Sequence, residues 1–127
     1  MEVNRPDVVA ELTARFLEYE AAINTNDVGV LDDCFLDSPH TVRFGMTEEL
    51  WSFEEIRAFR RTPNTAGKPR KLERFEITTY GDSMGVANAV FTRPGVPKIG
   101  RQSQTWIKLD GRWKVVAAHV SLVDARP

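Results

Sequence analysis

Apolar residues recur at alternating steps of three and four from Val9 through Leu12, Phe16 and Tyr19 to Ile23, which is one stripe of a long amphipathic helix. Pro6 and Asp7 open it, the proline suiting a first turn and the carboxylate its positive end. Glu11, Arg15, Glu18 and Glu20 fall on the side expected to face water, whereas Tyr19 lies inside the stripe. The polar run Asn24-Thr25-Asn26-Asp27 breaks the pattern and supplies an N-cap for a short second helix carrying Val28, Leu31, Cys34 and Phe35. Ser52-Phe53-Glu54-Glu55 has the form of a capping box and starts a third helix with Ile56 and Phe59 inward.

Beyond Lys71 the period drops to two. Leu72 to Tyr80, Val86 to Thr92, Ile99 to Leu109 and Trp113 to Leu122 read as strands, separated by the turns Gly81-Asp82-Ser83, Arg93-Pro94-Gly95-Val96-Pro97 and Asp110-Gly111. Thr62 to Lys71, with two prolines, a glycine and three cationic residues, reads as a loop and as the most mobile stretch. Helices followed by consecutive antiparallel strands make an α+β pattern, with the helices on one face of the sheet. A two-residue turn at Asp110-Gly111 pairs Leu109 with Arg112, Thr105 with Val116, Gln104 with Ala117 and Gln102 with His119. That register puts Gln102, Gln104, Trp106, Val115, Ala117 and His119 on one face, as a pocket lining or a subunit interface would have them.

The run Ser38-Pro39-His40-Thr41-Val42-Arg43-Phe44-Gly45 sets a charged residue among strand formers. A strand there places Thr41 and Arg43 on one face and Val42 and Phe44 on the other. An arginine on an inward face keeps its proton and requires an anion, from the protein or from a ligand. Glu48 and Glu76 are the protein's own candidates.

Composition narrows the field. With 127 residues, 42% hydrophobic and 28% charged, the chain fits one domain spanning 1–127. A net charge of -1 provides no field for nucleic acid or anionic lipid, and no apolar run is long enough for a membrane span. Cys34 is the one cysteine, so no intrachain disulfide forms, and it reads as a small buried hydrophobe. The chain reads as cytoplasmic. Two histidines far apart, with no ligand spacing, make no metal site, and no glycine-rich phosphate loop is present. No cofactor is expected.

Four stretches carry a resemblance: Asn4-Arg5-Pro6, Ser38 to Gly45, Gly100-Arg101-Gln102-Ser103-Gln104-Thr105-Trp106, and Val115 to Ser121. They resemble the AtzH-like family, which includes the oxalurate-catabolism protein HpxZ, within the nuclear-transport-factor-2-like (NTF2-like, SnoaL-like) superfamily. The resemblance implies a cone-shaped α+β barrel in which three N-terminal helices pack on a curved, mostly antiparallel sheet. It further implies a homodimer, a pocket between the helices and the concave face, and work beside an amidase in ureide breakdown. The implied reaction is the decarboxylating hydrolysis of 1,3-dicarboxyurea to allophanate. The residues it implicates, a tyrosine on the first helix and an arginine after Ser-Pro-His, match Tyr19 and Arg43. The segment from Thr62 to Pro69 fits the family pattern least well.

The chemistry is coherent with those residue types. The planar fork of Arg43 suits a carboxylate, and a buried tyrosine hydroxyl would supply the proton that a carbamate nitrogen needs as its carboxyl group leaves. Arg60, next to Phe59, is the candidate for a second carboxylate, with His40 and Gln104 as further substrate contacts. Each has a plainer alternative. On the residues alone Tyr19 on an apolar stripe is more often a core tyrosine, and Arg43 reads also as half of an ion pair, His40 as a residue ending a turn, and Gln104 and His119 as interface residues. Arg57, Arg60 and Arg61 read together as a solvated helix face. A non-catalytic module that binds an anion or supports the amidase is the competing function.

Overall fold

The computed structural model describes residues 1–63 and 69–125; part of the loop expected between Thr62 and Lys71 therefore lies outside them, at 64–68. Three helices and six strands follow in the order α1 (Pro6–Thr25), α2 (Val28–Cys34), β1 (Val42–Phe44), β2 (Glu49–Leu50), α3 (Phe53–Phe59), β3 (Lys71–Tyr80), β4 (Met84–Thr92), β5 (Lys98–Leu109) and β6 (Arg112–Asp124). Local chemistry sets their ends. Pro6 occupies the first turn of α1, and Asn26 ends the helix in the left-handed conformation (φ 52°), its N–H returning to the carbonyls of Ala22 and Ile23. Asp27 caps α2 by accepting from Val30 N. Ser52 caps α3 by accepting from Glu55 N at 3.1 Å, one half of the capping box expected from the sequence, while the Glu55 carboxylate reaches back to accept from Trp51 N at 3.4 Å rather than from Ser52 N.

The strands form one sheet in the order β2-β1-β6-β5-β4-β3. All neighbours are antiparallel except β1 and β6, which run parallel with Arg43 opposite Ala118. The expected α+β arrangement of three helices on a mostly antiparallel sheet is present, and the sheet is not closed into a barrel. Closure needs the two edge strands to bond to each other. One edge here is β2, only two residues long, and the other, β3, is instead bonded near its end by residues 2–4: Val3 bridges Tyr80, and Asn4 N donates to Thr79 O at 2.9 Å.

One face of the sheet packs against the helices. Leu12, Phe16 and Tyr19 of α1, Leu31 and Cys34 of α2 and Ile56 of α3 meet Ala87, Ala89, Trp106, Val115 and Ala118 in a single core. The stripe on α1 is rotated slightly from expectation, with Val8 rather than Val9 fully buried. A larger departure is Glu20, expected in water but buried. Arg70, just before β3, donates to it from Nε at 3.1 Å and again from Nη2, and also reaches Gln102 Oε1 at 3.2 Å. A buried carboxylate is tolerated because a charge-assisted, two-pronged partner replaces its water.

The β5/β6 hairpin keeps its expected register only as far as Trp106 opposite Val115. A bulge at Val116 then pairs Thr105 with Ala117, Gln104 with Ala118 and Ser103 with His119. Gln102, Gln104, Trp106 and Val115 stay on the helix side as expected, but Ala118 and Val120 join them. Ala117 and His119 move to the outer face, a correction of one residue that reverses the side chains of half a strand.

Candidate functional site

The inward stripe of α1 carries Tyr19 and, one turn later, Ile23 to the end of the helix, where Asn26 stops it. Leu31 of α2 forms the neighbouring wall. Arg43, opposite buried Ala118 and Leu50 in the sheet, projects to the same side, and Phe59 and Arg60 close the space from the end of α3. These residues line one cleft of about 80 Å³. Tyr19, Arg43 and Arg60, three residues singled out from the sequence, thus share one lining.

Tyr19 is buried at 2% exposure, its ring edge-on to Trp106 at 6.3 Å and tilted against Phe35 at 6.2 Å. The Trp106 indole N–H donates to Gln104 Oε1 at 3.1 Å. Gln104 therefore stands behind the tyrosine and is not among the cleft-lining residues. Its Nε2 makes no hydrogen bond among the described residues.

Arg43 donates to Glu48 Oε1 at 2.8 Å, so the ion pair weighed against a ligand role is present, and with Glu48 rather than Glu76. Burial pushes the Glu48 carboxyl up, but hydrogen bonds from Thr47 and Arg43 outweigh it and hold the group below its usual range. Arg60 lies over the Phe35 ring at 4.5 Å, with Asp32 Oδ1 at 3.5 Å from Nη1. Burial draws the Arg60 pKa down; Tyr19 and Asp32 act against that shift and the charge of Arg43 acts with it. The guanidinium remains protonated at neutral pH. Arg57 and Arg61 are exposed and share Asp32, so only Arg60 of the three leaves the solvated face.

His40 lies outside the cleft, exposed in the turn before β1, where its backbone N–H donates to Ser38 Oγ at 3.0 Å. His119 is on the outer face, edge-on to Phe44 at 5.9 Å. Asn26, Ile23 and Leu31 were not foreseen as lining residues. The polar break that ended the first helix was the one available signal for Asn26.

The arrangement is an apolar-walled recess with two fixed cations and a phenol, a chemistry suited to a small anion. Burial raises the Cys34 thiol to about 11, so it is no nucleophile at neutral pH.

Several solved structures are similar to this chain over nearly its whole length. A protein of unknown function from Pectobacterium atrosepticum is 52% identical, over 96% of this chain and 95% of that one, with a TM-score of 0.92. A cystatin-like fold protein from Burkholderia xenovorans is 44% identical over 100% and 99%, with a TM-score of 0.93. An NTF2-like superfamily protein from Salmonella enterica shares the fold at 23% identity, over 95% and 93%, with a TM-score of 0.72. No curated protein matches the chain. Residues 1–126 match the AtzH-like family, and the chain belongs to it.

Proposed function

We propose that the protein is a cofactor-free decarboxylating amidohydrolase acting on a small carboxylated urea, of the 1,3-dicarboxyurea to allophanate type, in ureide nitrogen catabolism. The observation that carries this reading is the convergence of Tyr19, Arg43 and Arg60 on one cleft. Membership of the AtzH-like family supports it.

In this reading Arg43 clamps the carboxylate that is retained, and Arg60 meets the second on docking. The second carboxyl leaves as carbon dioxide when its bond to nitrogen breaks. The bonding pair stays on nitrogen, which takes a proton from the Tyr19 hydroxyl, and the phenolate is reprotonated from solvent. Ile23, Leu31 and Phe59 favour that step because charge disperses as the carboxylate departs and an apolar wall penalises the localised charge more. The proposal includes a homodimer and a role beside an amidase.

Purified protein given 1,3-dicarboxyurea, or oxalurate, should release product without any other enzyme. If it is inert alone but binds the amidase and accelerates it, the protein is an accessory module and the catalytic reading is wrong.

A further inference from the structure

The turn joining β1 to β2 is shaped around one carboxylate. Oε2 of Glu48 accepts from Thr47 N at 3.2 Å and Thr47 Oγ1 at 2.9 Å, while Oε1 accepts from Arg43 Nη1 at 2.8 Å. Among the described residues this is the one hydrogen bond of the Arg43 side chain, so the rest of its five-donor fork is available to the cleft it lines. Gly45 makes the arrangement possible. A Cβ there would lie 1.6 Å from Glu48 Oε1 and 2.3 Å from the carboxyl carbon. Gly45 is not among the glycines with positive φ, so its backbone would accept alanine. What requires glycine is room for the carboxylate.

We propose that Glu48, admitted by Gly45 and held by Thr47, is a positioning residue that fixes Arg43 for a ligand carboxylate. The inference rests on the reading of Arg43 as a carboxylate clamp. A long, flexible side chain loses rotamer freedom when it grips a ligand, and an arginine braced beforehand has already lost it. Glu48 is itself anchored from its far side by Thr47, which favours a fixed brace over a plug that the ligand must expel.

The glycine separates this role from a merely structural one. The three atoms nearest to an alanine Cβ at position 45 all belong to the far end of the flexible Glu48 side chain, which can swing away at little cost to folding but then leaves Arg43 unbraced. With oxalurate as the probe in calorimetric titrations, Gly45→Ala and Glu48→Ala should each weaken binding roughly tenfold, the loss of one preorganised contact. Their melting temperatures should stay close to wild type. Glu48→Gln, which keeps one acceptor, should recover part of the affinity, and Gly45→Ala with Glu48→Ala should bind no worse than Glu48→Ala alone. Tighter binding by Glu48→Ala would mean that Glu48 competes with the ligand, and additive losses would mean that Gly45 acts separately; either overturns the proposal. Wild-type binding with unaffected variants refutes the brace alone, whereas no binding by wild type removes the clamp and the brace together. Should Gly45→Ala fail to fold, the Glu48 variants decide the matter through the same affinities.

Discussion

Glu20 and Arg70 meet inside the core, fifty positions apart in sequence, with the guanidinium donating from both Nε and Nη2. Arg70 also lies over the Phe91 ring at 4.2 Å, and its backbone N–H donates to Asn24 Oδ1 at 2.9 Å. The pair ties the end of α1 to the start of β3, one residue beyond Tyr19.

Removing one partner strands the other. Arg70→Met should destabilise the fold by on the order of 3 kcal/mol, because the buried Glu20 carboxylate loses its two-pronged partner and keeps only the more distant charge of Arg93. The combination of Arg70→Met with Glu20→Gln should regain much of that loss. Urea denaturation of the three proteins measures both; a single variant as stable as wild type would show that water reaches Glu20.

The two implicated residues should fail differently. Tyr19→Phe is expected to leave ligand affinity nearly intact while lowering turnover, and Arg43→Met to weaken binding of carboxylated ligands by more than about tenfold. Steady-state kinetics with direct titration separates the two effects. Equal losses of stability in both variants with ligand binding unchanged would reduce them to core contacts.

Acid should erode stability partly through Asp33. Burial pushes this carboxyl up, but hydrogen bonds from Lys114 and Arg15 outweigh it and bring the folded value to about 2, against an ordinary 3.8. A depressed folded pKa stabilises above the unfolded value, and the gain is lost as pH falls through the folded one. Asp33→Asn should therefore flatten the dependence of the denaturation midpoint on pH between about 4 and 2. The side chain is 44% exposed, so solvent screening keeps the effect small. Parallel slopes for the two proteins would count against it.

Cys34 should be silent until the chain unfolds. Its thiol, raised from 9.0 to about 11, has roughly a hundredth of the ordinary thiolate fraction at mildly alkaline pH. Iodoacetamide labelling should be at least about that much slower in native than in urea-unfolded protein. Comparable rates would indicate local opening around α2.

Much of this was legible from residue order. The stripe ending in Tyr19 and Ile23, the Ser52 capping box and the Asp110-Gly111 turn each carry local chemistry that survives folding. Three things had no local signal. Glu20 looks like any wet-side acid until Arg70 is brought to it by tertiary contact. The parallel pairing of β1 with β6 joins segments more than seventy residues apart. The bulge falls in Val115-Val116-Ala117-Ala118, four apolar residues with no polar contrast to betray a change of phase. Within the site, family resemblance led to Tyr19 and Arg43, while the strand phase of His40, one residue off that of Arg43, argued against a shared face, and His40 lies exposed outside the cleft.

That one unpaired valine divides β6 between two environments. Ahead of it the strand gives Trp113 and Val115 to the helices; after it, Ala118 and Val120 take that duty and His119 is released to the opposite surface beside Phe44. Chain length, rather than side-chain chemistry, sets this assignment. Deleting Val116 should reverse every side chain after it, swinging Ala117 and His119 inward and Ala118 and Val120 outward with no substitution at all, so a change of a single position in length rewrites what both sides of the sheet offer.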